Sequence, residues 1–120
     1  MVALAVALGG AVGSVARYGL GVLAGNPSWP WATLAINVFG SLCAGFLAEW
    51  STARLPPAVS TAVIVGLLGG FTTFSAFSVQ VIALTQEGRL AAAVSYVTAS
   101  VLLGLGAALL GITLGTRLLS

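Results

Sequence analysis

Gly66-Leu67-Leu68-Gly69-Gly70-Phe71-Thr72-Thr73-Phe74-Ser75-Ala76-Phe77-Ser78 lies in the middle of an apolar run, Ala58–Thr85. As one continuous helix that run would extend about 42 Å at about 1.5 Å per residue, which exceeds the roughly 30 Å of a bilayer's hydrocarbon core. Two adjacent glycines followed by β-branched threonines lower helix propensity where a spanning helix should be most regular. Two readings stand at this point. In one the helix unwinds against protein or water and its freed carbonyls are available to a cation. In the other the Ser and Thr hydroxyls bond back to the preceding turn and the helix only bends.

Working outward, three further apolar runs appear: Val2–Leu23, Ala32–Trp50 and Leu90–Leu114. Turn clusters separate them: Gly25-Asn26-Pro27-Ser28-Trp29-Pro30 after the first, and Ser51-Thr52-Ala53-Arg54-Leu55-Pro56-Pro57 after the second. Gln86-Glu87-Gly88-Arg89 ends the third. A spanning helix needs about 20 residues. The expectation is therefore an all-α integral membrane protein, one domain over residues 1–120, with four transmembrane helices at about 2–23, 32–50, 58–85 and 90–114. The third is the one expected to be broken at its centre. Trp29, Trp31 and Trp50 fall at the expected membrane edges, where amphipathic aromatics prefer to sit.

Composition agrees with a membrane chain and removes several chemistries. Hydrophobic residues make up 59% of the chain and charged residues 5%, too few to coat a water-soluble domain. The absence of histidine and the single Cys43 leave no ordinary zinc or iron ligand set and no Ser-His-Asp or Cys-His arrangement. Glu49 and Glu87 lie on different segments, against a paired-carboxylate hydrolase. Four scattered arginines, Arg17, Arg54, Arg89 and Arg117, form no basic run, so no nucleic-acid partner is expected. A cleaved signal peptide is disfavoured because no positive charge precedes the first apolar run.

The same arginines address the chain weakly. Both termini share a side with the second loop, which places Arg54 and Arg117 opposite Arg89. Such a small bias permits a single orientation or insertion both ways round. Small residues four apart mark close helix contacts: Gly9/Gly13, Gly21/Gly25, Gly66/Gly70, Gly111/Gly115, Ser41/Gly45 and Ala107/Gly111.

Polar side chains away from the membrane edges are nearly all neutral hydrogen-bond donors: Asn37, Thr72, Thr73, Ser75, Ser78, Tyr96, Thr98 and Ser100. No central carboxylate is present, although proton-coupled pumping relies on a titratable group inside the membrane. A track of neutral donors suits a small, strongly hydrated anion. Phe74 and Phe77 share a helix face, and aromatic ring edges are electropositive; ordinary packing against lipid or protein is the alternative.

Taken together, these segments resemble the Fluc/CrcB fluoride channel family. Gly9-Gly10-Ala11-Val12-Gly13-Ser14-Val15-Ala16-Arg17-Tyr18 is similar to its first-helix pattern, and Thr33-Leu34-Ala35-Ile36-Asn37-Val38-Phe39-Gly40-Ser41 to its second. Gly66–Phe77 is similar to its third-helix signature, and Tyr96 and Ser100 occupy its fourth-helix positions. The resemblance covers essentially the whole chain. It implies a fluoride-selective channel, not an enzyme, that exports fluoride passively across the cytoplasmic (inner) membrane of a prokaryote. It further implies an antiparallel dual-topology homodimer in the lipid bilayer, or pairing with an oppositely oriented paralogous subunit. The implied fluoride pore comprises Asn37, Phe74, Phe77, Thr73, Ser75, Tyr96 and Ser100, with Arg17 in a vestibule. A structural sodium ion at the dimer axis is implied on the backbone carbonyls of Gly69 and Thr72. Ala76 and Gln80 depart from the family pattern, which often has Thr and Glu there. The alternative, a small dual-topology proton-coupled multidrug exporter, would need a carboxylate in the first helix, and Val2–Leu23 has none.

Overall fold

The computed structural model describes residues 1–119. It is all-helical: α1 (Val2–Ala24), α2 (Trp31–Arg54), α3 (Pro57–Thr61), a π-helical segment (Ala62–Leu68), α4 (Gly69–Phe71), α5 (Phe74–Gln86) and α6 (Leu90–Leu119). Four spans are long and apolar enough to cross a membrane: Val2–Ala24, Trp31–Arg54, Pro57–Gln86 and Leu90–Leu118. The second span continues beyond Trp50 to Arg54, because Ser51 and Thr52 do not stop a helix whose next breaker is Pro56. The fourth runs beyond Leu114 as well, since Gly115 alone does not stop a helix and no proline follows it.

Local chemistry explains the turns. Gly25 ends α1 at φ 71°, a left-handed conformation that costs glycine little. Gly88 does the same between α5 and α6 at φ 75°, where its N–H donates to the Thr85 carbonyl and that of Arg89 to the Leu84 carbonyl. Pro57 opens the third span at a first-turn position, where its missing N–H is not needed.

The spans pack as two close pairs. α2 lies along α6, and α1 lies along the π-helical segment and α4. Contacts advance together along each pair. On α1, Gly9 meets Ala62 and Leu67, and Gly13 meets Leu67 and Phe71. On α2, Ser41 faces Gly104 and Gly45 faces Ala108, while Phe46 faces Gly115. Both pairs are therefore parallel. A Cβ at Gly13, Gly45 or Gly111 would overlap a carbonyl oxygen of the facing helix, of Leu67, Ala108 and Leu42 respectively. This close approach is the contact that small residues permit in lipid. Gly21 is different: nothing stands within 4 Å of a Cβ there, so Gly21/Gly25 makes no contact within the chain.

α5 completes the fold by leaning on α6. Leu84, Ala93 and Tyr96 are buried together with Leu34 of α2, and Trp29, Phe77 and Val81 pack on this cluster. The whole is a slab measuring 49 × 31 × 20 Å.

Candidate functional site

Thr72 and Thr73 separate α4 from α5. Their backbone is extended, with ψ 155° at Thr72 and φ −150°, ψ 116° at Thr73. Extended residues within a span leave helical N–H and C=O groups without their usual partners, and a hydrocarbon environment supplies no water to replace them. The chain provides the replacements itself.

Asn37 is the principal one. Its Nδ2 donates to the Thr73 carbonyl at 3.0 Å, while its Oδ1 accepts from the Thr73 N–H at 2.9 Å. Arg17 is the second: its Nε donates to the Gly70 carbonyl at 3.2 Å. Thr72 turns its own hydroxyl back to the Leu68 carbonyl at 2.9 Å, and that carbonyl also accepts the Thr72 N–H at 3.0 Å. Thr73 then caps α5, its Oγ1 accepting from the Ala76 N–H at 3.1 Å and lying 3.2 Å from the Ser75 hydroxyl. Thr72 thus makes the back-bond to the preceding turn while the backbone at Thr72 and Thr73 is extended.

The Thr73 N–H that a continuous helix would direct to Gly69 is spent on Asn37. Gly69 thereby loses its helical donor, and nothing in the chain lies within 4 Å of where its Cβ would be. Gly69 itself is exposed. Among the described residues no group of three or more His, Cys, Asp or Glu could hold a metal ion.

A cleft of about 420 Å³ opens beside the extended residues. It gathers Asn37, Gly69, Thr72, Thr73, Phe74, Phe77 and Ser100 from the residues singled out above, together with Ser41. The Phe74 and Phe77 rings lie 5.6 Å apart at 42°, and Phe74 is 78% exposed. The oxygen of Ser100 is buried and has no hydrogen-bond partner.

Three residues of the expected set lie off this cleft. Tyr96 is fully buried behind Phe77, with ring centroids 5.1 Å apart, and its hydroxyl donates to Gln80 Oε1 at 2.7 Å. Ser75 is exposed beside Thr73. Arg17 lines a neighbouring cleft with Thr33, Thr73, Ala76 and Gln80. Thr73 borders both clefts and Gln80 continues the second toward the loops, where Trp29 and Arg89 line a third opening. Sequence reading identified Gln80 only as a departure from pattern. Its contact with Tyr96, sixteen residues away, had no short-range signal.

The arrangement is a polar seam with neutral donors, two aromatic rings, one guanidinium and no carboxylate in the clefts beside Thr73. It is suited to desolvating and binding a small anion without an acid or base to transfer protons.

Comparison with known proteins points the same way. Residues 4–112 match the family model described as CrcB-like protein, Camphor Resistance (CrcB). The chain is 45% identical to the fluoride-specific ion channel FluC of Paracoccus denitrificans (strain Pd 1222), covering 96% of this chain and 94% of the relative. It is 49% identical to fluoride-specific ion channel FluC 1 of Nitrobacter hamburgensis (strain DSM 10229 / NCIMB 13809 / X14), covering 91% and 90%. With FluC of Agrobacterium fabrum (strain C58 / ATCC 33970) the identity is 43% and both coverages are 94%. With matches of this extent, the chain belongs to the CrcB family.

Proposed function

We propose that this protein is a fluoride-selective channel that lets fluoride leave the cell passively across the cytoplasmic membrane. The observation that carries the reading is the cleft where Asn37, Ser100, Phe74 and Phe77 converge beside the extended Thr72–Thr73 backbone. Relatives 41–49% identical are named fluoride-specific ion channels, and they supply the ion.

Fluoride holds its hydration shell tightly, so a path through lipid must offer substitutes that are individually modest. Hydroxyl and amide N–H groups and the positive edges of aromatic rings are such substitutes. Conduction also requires that no single station bind too strongly to release the ion. Arg17 is held by the Gly70 carbonyl at one side of the seam, which keeps a full positive charge out of the Phe74–Phe77 cleft while raising anion concentration near Thr73. Tyr96 supports Phe77 from behind and orients Gln80.

The working unit in this proposal is an antiparallel dual-topology homodimer, or a pair with an oppositely inserted paralogue. The open face at Gly69 and the exposed Phe74 ring support it, since both lack a covering element in one chain. The third span is read as functionally broken at Thr72–Thr73. The Gly69 and Thr72 carbonyls, with their oxygen chemistry and lack of competing acids, fit a structural sodium ion shared at the dimer axis. Such an ion would supply positive charge that holds the two interruptions together.

The test is reconstitution of the pure protein in liposomes under an ion gradient, with efflux followed by a fluoride-selective electrode. Fluoride efflux without chloride efflux is expected. No fluoride flux, or equal chloride flux, overturns the proposal.

A further inference from the structure

Hydroxyl groups on these spans follow one habit. Thr52, Thr61, Ser78, Thr85 and Thr113 each bond back to the carbonyl four residues earlier, at 2.7–2.9 Å. This is how a Ser or Thr on a membrane helix satisfies its donor when nothing else is available. Ser41 and Ser100 do not follow it, and neither do Ser14, Thr98 and Thr116. Among the described residues neither the Ser41 nor the Ser100 hydroxyl has a hydrogen-bond partner, and the Ser100 oxygen is buried as well.

Of these, Ser41 and Ser100 line the same cleft. On α2, Ser41 stands one turn beyond Asn37, which also lines it. On α6, Gly104 stands one turn beyond Ser100, and a Cβ at Gly104 would come 3.9 Å from Ser41 Oγ. The Ser41 hydroxyl is therefore turned to the face of α6 that carries Ser100. Asn37 adds a third group: one Nδ2 hydrogen is used by the Thr73 carbonyl, and the amide has a second. Three donors from two helices converge on one cleft with no protein acceptor for them, and the rings of Phe74 and Phe77 border it.

Leaving a buried donor unpaired is costly. The buried Ser100 hydroxyl, with the partly exposed Ser41 hydroxyl in the same cleft, marks a place for an acceptor. We infer that Ser41 is a fluoride-binding residue, its hydroxyl forming one anion station with that of Ser100 and the free N–H of Asn37. This rests on the fluoride-channel reading and extends it to a residue whose sequence context suggested only helix packing. A small anion accepts several short hydrogen bonds at once, which a chloride-sized ion between two closely packed helices does less well; the station would thus contribute to selectivity as well as rate.

The experiment compares the unmutated protein, Ser41→Ala, Ser100→Ala and the double variant in the liposome assay, recording maximal flux and the fluoride concentration for half-maximal flux. Ser41→Ala removes one oxygen from a position with no hydrogen bond to lose, so elution as a dimer should be unchanged. Its flux should fall roughly tenfold or more, as expected for losing a hydrogen bond to a charged species, with a raised half-saturation. Because both hydroxyls act on one ion, the double variant should lose clearly less than the product of the single effects. Unaltered flux and half-saturation in Ser41→Ala, or fully multiplicative effects in the double variant, overturns the inference. Should Ser41→Ala not assemble, Ser41→Cys, a weaker donor of similar volume, carries the same expectation and the same refutation. Absence of fluoride flux in the unmutated protein overturns the channel reading itself; normal flux with an indifferent Ser41 overturns this inference alone.

Discussion

The side-chain amide of Asn37 replaces both helical hydrogen bonds of Thr73, donating to its carbonyl at 3.0 Å and accepting from its N–H at 2.9 Å. A side-chain amide carries a donor and an acceptor side by side without charge at any pH. Asn37→Asp retains the acceptor and turns a second oxygen toward the Thr73 carbonyl. Asn37→Ala loses both partners. Each should lower thermal stability in detergent, with a cost of about 1–3 kcal/mol for each backbone group left unpaired, and each should abolish fluoride flux. Wild-type melting and flux in Asn37→Ala would refute this role.

The ring pair is separable from the fold. Phe74 is largely exposed in a single chain, and Phe77 touches Phe74 and Tyr96 at ring-centroid distances of 5.6 and 5.1 Å. Replacing both by Ile preserves apolar bulk and removes the ring edges. Transport should be lost while the protein still elutes as an assembled dimer. Retained flux in this double variant would show that the rings only pack.

Much of the fold could be read in the sequence, because four apolar runs bounded by Gly and Pro clusters have few ways to sit in a membrane. Gly9/Gly13, Gly66/Gly70 and Gly111/Gly115 were readable as contact stripes for the same reason. The partners across those contacts were not. Nothing in Gly-Ala-Val-Gly-Ser-Val-Ala-Arg tells that Arg17 reaches the Gly70 carbonyl, 53 residues on. Nor does the uniformly apolar Ala62–Leu68 announce a π-helical turn, which rotates the faces of everything after it. The polar residues were identifiable one by one; which of them share a cleft depends on helix rotation that composition does not encode. Ser41 illustrates this, since in sequence it reads as a small packing residue.

Gln80 makes a pH test possible. It accepts the Tyr96 hydroxyl at 2.7 Å, and no carboxylate or imidazole lines the clefts beside Thr73. Flux should therefore be nearly independent of pH across the neutral range. Gln80→Glu introduces a group that is neutral on the acid side and anionic on the basic side, where it repels the permeating ion. Because the family often has Glu at this position, that variant should still conduct, with flux highest at low pH and falling as pH rises. A flat profile for the variant would mean that the ion does not pass near position 80.

Orientation can be read by labelling. Ser28 is exposed in the loop between α1 and α2, with its carbonyl accepting from the Arg89 side chain. In a Cys43→Ser background, Ser28→Cys offers a single thiol. If the chain inserts both ways round, an impermeant reagent should label about half of it in intact cells and the remainder only after permeabilisation. Complete labelling from one side would instead indicate pairing with an oppositely oriented relative.

Gly13 and Gly69 give the sharpest contrast between packing within a chain and assembly between chains. A Cβ at Gly13 would overlap the Leu67 carbonyl and come 2.8 Å from the Phe71 nitrogen, both backbone atoms that cannot swing aside. Gly13→Ala should thus separate α1 from the third span and destabilise the monomer, by about 1–3 kcal/mol for an overpacked contact. At Gly69 a Cβ meets nothing within the chain. If Gly69 is needed only where two interruptions meet across a sodium ion, Gly69→Ala should leave the helical content of the isolated chain unchanged. It should instead weaken dimerisation, measured by single-molecule photobleaching at falling protein-to-lipid ratio, and it should remove any sodium dependence of that equilibrium. Dimerisation that is equally strong in Gly69→Ala, and insensitive to replacing sodium by a large organic cation in both proteins, would exclude this face as the cation-bearing interface.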